Sequence, residues 1–423
     1  MVQKYTPGWR LARKLVHTLL NVQSAKSYVP YQLLENKQML YEILHTPDNV
    51  LSSVRRYSNS LTTAMTFGWR TPSNSDPQME QLFSGFEAFA VLNQTGTAAL
   101  IDFFPILRNI PDFLSPVKKK AKELHKKELD LYMTHWLRAK SSITDGTAKP
   151  CFSIDLARAQ EANNLTDQQA SYISGTVLEA GSDTTSSTIY AFVQAMLLYP
   201  EIQKKAKEEI ERVVGGSRLP SMEDEFDLQY VRCIMKETLR WCPTTILGAV
   251  PHATSKEDTY MGYRIPEGAG VLNNVYSINH DENRFPQPRV FRPERYLDDK
   301  QTLGEAAANP DCKRRDQWTF GAGRRICPGI HVAERSLFLA ISRILWGFDI
   351  KPKIGKDGKP ILPDPERYTQ GFVCMPEVFE ADITPVSQER AAIIERDWEE
   401  AQKDLDEHGQ WKNIPYGMAL PTL

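Results

Sequence analysis

Apolar residues recur at intervals of three and four along the middle of the chain, and the longest such stripe begins just after Asp167. Ile173, Val177, Ala180, Thr184, Thr188, Ala191, Ala195 and Leu198 share one helix face at this spacing. The residues LTDQQ supply a capping start and Pro200 a stop, so a single long helix is expected between them. A shorter, charged helix is expected from Glu201 to Val214, ending at Gly215-Gly216, and a third from about Leu228 to Trp241, closed by Cys242-Pro243. From Thr244 to Val275 the texture changes. Short apolar runs broken by Pro251, Gly262, Pro266, Gly268 and Gly270 predict brief strands and turns. A Pro-rich loop (NRFPQPRVFRPERYL) and a Gly-rich stretch then lead into a helix from Pro328 to about Trp346, with Ile330, Ala333, Leu337, Ala340, Ile341 and Ile344 on one face. The clearest helical patterns lie between about residues 85 and 345, and the chain reads as mainly α with a small β region, an α+β class. After a strand-like piece the chain closes with a charged tail from Ser387, most simply a solvated amphipathic helix.

Composition narrows the choice of function. With 423 residues, 41% of them hydrophobic, the chain can bury a substantial core. Its 51 basic and 53 acidic groups give a formal net charge of -2, which lacks the basic excess of a nucleic-acid binder. Cys151, Cys233, Cys242, Cys312, Cys327 and Cys374 show no CxxC spacing, so neither a zinc site nor a disulfide scaffold is expected, and a reducing compartment fits. Charges throughout the first twenty or so residues exclude a secretion signal. The least charged stretch, Thr184 to Pro200, is too short and too polar to span a bilayer.

One cysteine stands in a setting that suggests chemistry. Cys327 lies in Phe320-Gly321-Ala322-Gly323-Arg324-Arg325-Ile326-Cys327-Pro328-Gly329, directly ahead of an amphipathic helix. Pro328 suits the first turn of that helix, which would set the sulfur beside free N–H groups and the positive end of the dipole. The dipole contributes only about 0.3 to 1 kcal/mol, so metal coordination would have to supply the rest of the ionisation. Arg324 and Arg325 offer planar donors for carboxylates. The competing reading is a buried structural cysteine in a Gly-rich turn, which is the commoner meaning of an arbitrary cysteine.

Phe320, Gly323, Arg325, Cys327 and Gly329 fill the pattern FxxGxRxCxG, and on these residues the chain resembles the cytochrome P450 family, in particular fungal microsomal members of secondary metabolism. The resemblance implies heme b with Cys327 as the axial thiolate ligand of the iron and Arg325 at a propionate. Glu237 and Arg240 fill the family's ExxR, and Arg295 in FRPERY resembles the third member of a buried Glu/Arg/Arg brace behind the cysteine loop. Ala180 to Thr185 (AGSDTT) matches [AG]GxDTT, which makes Asp183 and Thr184 the expected catalytic proton relay. A mid-helix glycine costs about 1 kcal/mol relative to alanine, and a close approach of haem and dioxygen would account for Gly181. Thr184 can turn its hydroxyl to the Ala180 carbonyl. His252, and Trp9 with Arg13 in a WxxxR, match further propionate contacts. Val177, Ala180, Thr245, Ile246, Leu247, Ala249, Phe372 and Val373 fall where the family usually faces its substrate, and Asp102 to Pro116 resembles a loop between two substrate-covering helices.

The resemblance further implies a catalytic domain over residues 1–385, followed by the charged tail 386–423, and a monomer. Dioxygen and an apolar small molecule would be the substrates. Since no flavin or nicotinamide module is visible, electrons would come from a separate NADPH-cytochrome P450 reductase. The expected activity is insertion of one oxygen atom of O2, as a tailoring step in mycotoxin-like biosynthesis. The family's membrane anchor, first helix and first β strands would precede Trp9, so an N-terminally shortened chain is expected. Members sit on the cytoplasmic face of the endoplasmic reticulum, whereas this chain, without an anchor, would be cytoplasmic or peripheral. Two other readings compete. Peroxide-dependent oxidation, dehydration or rearrangement without external O2 is disfavoured by the intact Asp183-Thr184 pair, and an inactive haem-binding remnant is favoured by the missing N-terminal part.

Overall fold

A computed structural model describes residues 4–92, 104–316 and 318–420. Helices begin where the sequence supplies caps. Thr6 accepts from the Trp9 N–H at 3.2 Å and Pro7 opens α1 (Pro7–Leu20). There follow α2 (Val22–Ser27), α3 (Val29–His45), α4 (Val50–Phe67), α5 (Pro77–Leu92), α6 (Pro116–Thr144) and α7 (Phe152–Asn163). The expected long helix is α8 (Asp167–Leu198), opened by a capping box in which Thr166 and Gln169 each bond the other's backbone N–H, at 3.1 and 2.9 Å. Next come α9 (Pro200–Val213), which ends ahead of Gly215 at φ 71°, and α10 (Gln229–Trp241).

The β region consists of two-stranded antiparallel pieces. β1 (His252–Ala253) pairs with β4 (Gly270–Val271), and β2 (Asp258–Tyr260) with β3 (Tyr263–Ile265). Met261 and Gly262 both take positive φ, as a two-residue hairpin requires. After α11 (Val275–Asn279), α12 (Leu303–Ala308) and α13 (Ile330–Gly347), strands β5 (Phe348–Lys351) and β6 (Asp382–Pro385) pair, and α14 (Gln388–Gln402) follows.

The second half of α8 forms the centre of the core. Ile189, Tyr190, Ala191, Phe192, Val193, Ala195 and Met196 are buried on every side, as a helix apolar all round should be. Its first half joins a second cluster with Val16 and Leu19 of α1, Leu61 and Met65 of α4, and Phe152 and Leu156 of α7. The sequence pattern did not single out α4, although it is buried along almost its whole length. Beside its apolar residues it buries hydroxyls: Ser58, Thr62 and Thr63 turn theirs to carbonyls four residues back, at 3.1, 2.8 and 2.8 Å.

The C-terminal segment corrects an expectation. Rather than lying in solvent, α14 buries Ala391, Ile394, Trp398 and Ala401, because Ile394 meets Gly347 of α13 and Trp398 meets Tyr41 of α3. Beyond it the chain turns back onto Arg70. The Arg70 N–H donates to Gln410 Oε1 at 2.7 Å, its Nη1 donates to the Gly409 carbonyl at 2.7 Å, and Gln410 Nε2 returns a bond to the Arg70 carbonyl at 3.1 Å. Arg70 and Arg56 both clamp the fully buried Glu35, at 2.5 and 2.7 Å. Trp411 then meets Tyr31 at 5.9 Å, and Met418 reaches the cluster around α1.

Asp102 lies outside the described residues, and from Phe104 the suggested loop is two short turns, Pro105–Asn109 and Asp112–Leu114. No helix among the described residues is long and apolar enough to cross a membrane.

Candidate active site

The loop carrying Cys327 is closed by its own backbone. The Cys327 N–H donates to the Phe320 carbonyl at 2.8 Å, Gly321 N–H to Trp318 at 2.9 Å, and Ile326 N–H to Gly323 at 3.2 Å. Gly321 and Gly323 hold φ of 74° and 63°, a conformation that side chains disfavour, while Phe320 packs onto the main core. Pro328 does not enter the first turn of α13 as expected. Gly329 caps that helix and its carbonyl takes the Val332 and Ala333 N–H groups, the first turn possible once the chain has left the loop. The Gly329 N–H nevertheless lies beside the sulfur. Burial pushes the Cys327 thiol above its ordinary range, and the Gly329 N–H and the Arg13 charge offset this in part. Without a cation on the sulfur, the protein favours the thiol.

α1 docks directly on this loop. Arg13 donates to the Ile326 carbonyl, and the Arg325 guanidinium stacks 4.4 Å over the buried Trp9 ring. Burial lowers the Arg13 pKa, and the nearby Cys327 counteracts it. Thus WxxxR and the cysteine loop, 313 residues apart, meet through Arg13 and Ile326.

Behind the loop, Arg240 forms a two-pronged pair with Glu237, both bonds 2.7 Å, with both side chains fully buried. Arg295 Nε reaches Glu237 Oε1 at 3.3 Å, and the Arg292 N–H reaches the same oxygen at 2.8 Å. Sequence reasoning missed what couples this pair to the loop. Asn279 accepts Arg240 Nη1 on its carbonyl at 2.8 Å and donates to Thr319 Oγ1 at 3.5 Å, while Thr319 donates to the Leu239 carbonyl at 3.0 Å. Thr319 adjoins Phe320, so α10 and the cysteine loop share one network. Neither Asn279 nor Thr319 carries a spacing signal in the sequence.

On α8, Thr184 Oγ1 donates to the Ala180 carbonyl at 2.8 Å, as expected. Burial raises Asp183 to about 6, with Arg55 and a 3.4 Å bond from Ser187 opposing it. Ala180 is exposed although Leu178 and Ser182 beside it are buried, so this face of the helix is left uncovered. Gly181 has a different cause from the one expected. A Cβ there would stand 2.5 Å from Thr62 Oγ1, so the close approach is that of α4.

The expected substrate-facing residues divide. Val177 is buried in the second core cluster, whereas Leu247 and Phe372 are 44% and 38% exposed. Thr245 donates to the Thr319 carbonyl at 3.0 Å, Ile246 accepts from the Tyr276 N–H, and Ala249 takes a positive φ of 69°. A bond from the Cys374 N–H to the Thr244 carbonyl sets half-buried Val373 beside this segment. His252 lies exposed in β1.

These groups suit a haem: a half-buried sulfur met by a backbone N–H, guanidinium groups of Arg13 and Arg325 beside it, and an open helix face. Comparison with known proteins agrees. The family model described as Cytochrome P450 matches residues 1–381. Cytochrome P450 monooxygenase virE of Hypocrea virens is 46% identical, over 97% of this chain and 74% of its own length. Cytochrome P450 monooxygenase fsoB of Humicola fuscoatra is 45% identical, over 98% and 77%. A solved zebrafish cytochrome P450 with progesterone gives a TM-score of 0.71 at 25% identity, covering 90% of this chain and 83% of its own. With a family match along nine-tenths of its length, a relative 46% identical over 97% of it, and a cysteine loop tied to its buried brace, the chain belongs to the cytochrome P450 family of monooxygenases.

Proposed function

We propose that this protein inserts one atom of O2 into an apolar small molecule of fungal secondary metabolism, with heme b held by Cys327. The observation that carries the reading is the convergence of the Gly329 N–H and Arg13 on the Cys327 sulfur, with Arg325 alongside. Bound haem supplies the activation of dioxygen and the oxidation of a C–H bond. The chain's own residues then have distinct tasks. Arg13 and Arg325, with Trp9 beneath, bind the propionates, and Glu237, Arg240 and Arg295 hold the loop through Asn279 and Thr319. Asp183 holds a transferable proton and Thr184 orients it at the uncovered face of α8. Ala180, Leu247 and Phe372 offer apolar surface there, and a relative that holds a steroid accords with an apolar substrate. His252 is the propionate contact least supported by its position. NADPH-cytochrome P450 reductase is the electron source in this reading. Exposed Phe104, Ile106 and Leu114 beside the lysines that open α6 suit the cytoplasmic surface of the endoplasmic reticulum.

The test is the reduced carbon-monoxide difference spectrum of the haem-reconstituted chain beside Cys327→Ala. A strongly red-shifted Soret band in the parent and its loss in the variant are expected. An unshifted band in the parent would remove Cys327 as the ligand.

A further inference from the structure

Between α6 and α8 lies a cluster of titratable groups that the reading above does not use. Glu128 of α6 faces Glu179 of α8, and Tyr132 of α6 stands beside Glu179. The Tyr132 ring lies against α8 where Gly175 leaves room, since a Cβ at 175 would stand 2.3 Å from it. Gly175 precedes Glu179 by about one turn, so the glycine seats the ring that delivers the hydroxyl. On the outer side, exposed His125 faces Glu128, and its Nδ1 is 2.7 Å from the Tyr172 hydroxyl. On the inner side, Asp183 follows Glu179 by four residues, so their side chains are neighbours on one helix face. Asp183 also faces Arg55 of α4, Glu87 of α5 and Ser187.

Two carboxyl groups that face each other away from water hydrogen-bond only when one of them holds a proton, because two carboxylates only accept. Burial raises Glu179 to about 7 and the facing Glu128 reinforces it, while burial also raises Glu128. The pair therefore retains a proton near neutral pH.

We propose that Glu179, paired with Glu128, holds the proton that recharges Asp183, drawn from solvent on the His125 side. The transfer breaks the O–H bond of Glu179, forms one on the Asp183 carboxylate, and moves the negative charge to Glu179. Solvent then restores the proton through His125 and Glu128. Burial raises Glu179 further than Asp183, so the forward transfer is uphill. The reaction that empties Asp183 draws it forward. The proposal rests on Asp183 serving as the proton donor at the uncovered face of α8.

The test compares Glu179→Gln, Glu128→Gln and Asp183→Asn in the haem-loaded chain. Infrared difference spectra against the parent near neutral pH should show one protonated-carboxyl component lost in each Gln variant, while those of Asp183 and Asp316, also raised by burial, remain. Product formed per NADPH consumed should fall by roughly tenfold or more in Glu179→Gln, since a positioned acid or base is worth about 10²–10⁴ in rate. Gly175→Ala should weaken the same component by displacing Tyr132. Should Glu179→Gln keep full coupling while Asp183→Asn loses it, the outer segment is overturned and the role of Asp183 stands. Should neither Gln variant lose a component, there is no shared proton and the proposal fails. Should Asp183→Asn keep full coupling, the reading of that face is wrong and this proposal falls with it.

Discussion

Asp183 is held near 6 by burial, against an ordinary value of 3.8. A carboxyl whose folded pKa is raised binds its proton more tightly in the folded state, so stability falls as pH rises from about 4 to 6. Asp183→Asn should therefore raise stability above pH 6, by roughly 1 to 3 kcal/mol, even as it lowers coupling. Thermal melts across pH 4 to 8 check this, and an unchanged profile would show the carboxyl to be solvated. Glu237→Ala leaves Arg240 buried without its carboxylate, which costs about 3 to 5 kcal/mol and should abolish haem incorporation. Normal haem content in the purified variant would contradict the brace. Cys327, Glu237, Arg240 and Arg295 were legible in the sequence because fixed spacing ties each to a motif. Asn279 and Thr319 were not, since one amide and one hydroxyl acquire meaning only when folding brings Leu239, Arg240 and Phe320 around them.

Among the elements, α8 was legible from end to end because a capping box, an unbroken stripe and a proline all mark the same helix. Helix α4 was harder to see: Val50, Val54, Tyr57, Leu61 and Ala64 do recur at four and three, but the serines and threonines between them, bonded to carbonyls one turn back, are buried as well and blur the contrast of a stripe. The same helix explains Gly181. Gly181→Ala would force Thr62 aside in a packed interface, and overpacking of this kind costs about 1 to 3 kcal/mol. Denaturant titration should show that loss, and Thr62→Ala in the same chain should restore part of it. Equal losses in the single and the double variant would mean that Thr62 is not the obstacle. The α14 segment was misread for a related reason: its charges are evident in sequence, whereas the partners of Ile394 and Trp398 on α13 and α3 are not.

At the scale of the whole molecule, the buried network of Glu35, Arg56 and Arg70 joins α3 and α4 to the last turns of the chain. Burial opposes its charge, yet Arg70 and Arg56 hold Glu35 below the usual carboxylate range. This contribution is present above about pH 4.5 and is lost as pH falls through the lowered value, so Glu35→Gln should blunt acid unfolding. At neutral pH, Glu35→Ala should cost about 3 to 5 kcal/mol by stranding two arginines, measurable by urea denaturation. The network also sets an order of events during synthesis. Arg70 and the Gly409 carbonyl are 339 residues apart, which a ribosome adding about 5 to 20 residues per second needs roughly 17 to 70 seconds to cover. For that interval the nascent N-terminal helices hold a charged seat whose final occupant has yet to be made. A premature stop codon near the end of the message would therefore leave Arg70, though still paired with Glu35, without the carbonyl and amide groups that cover it.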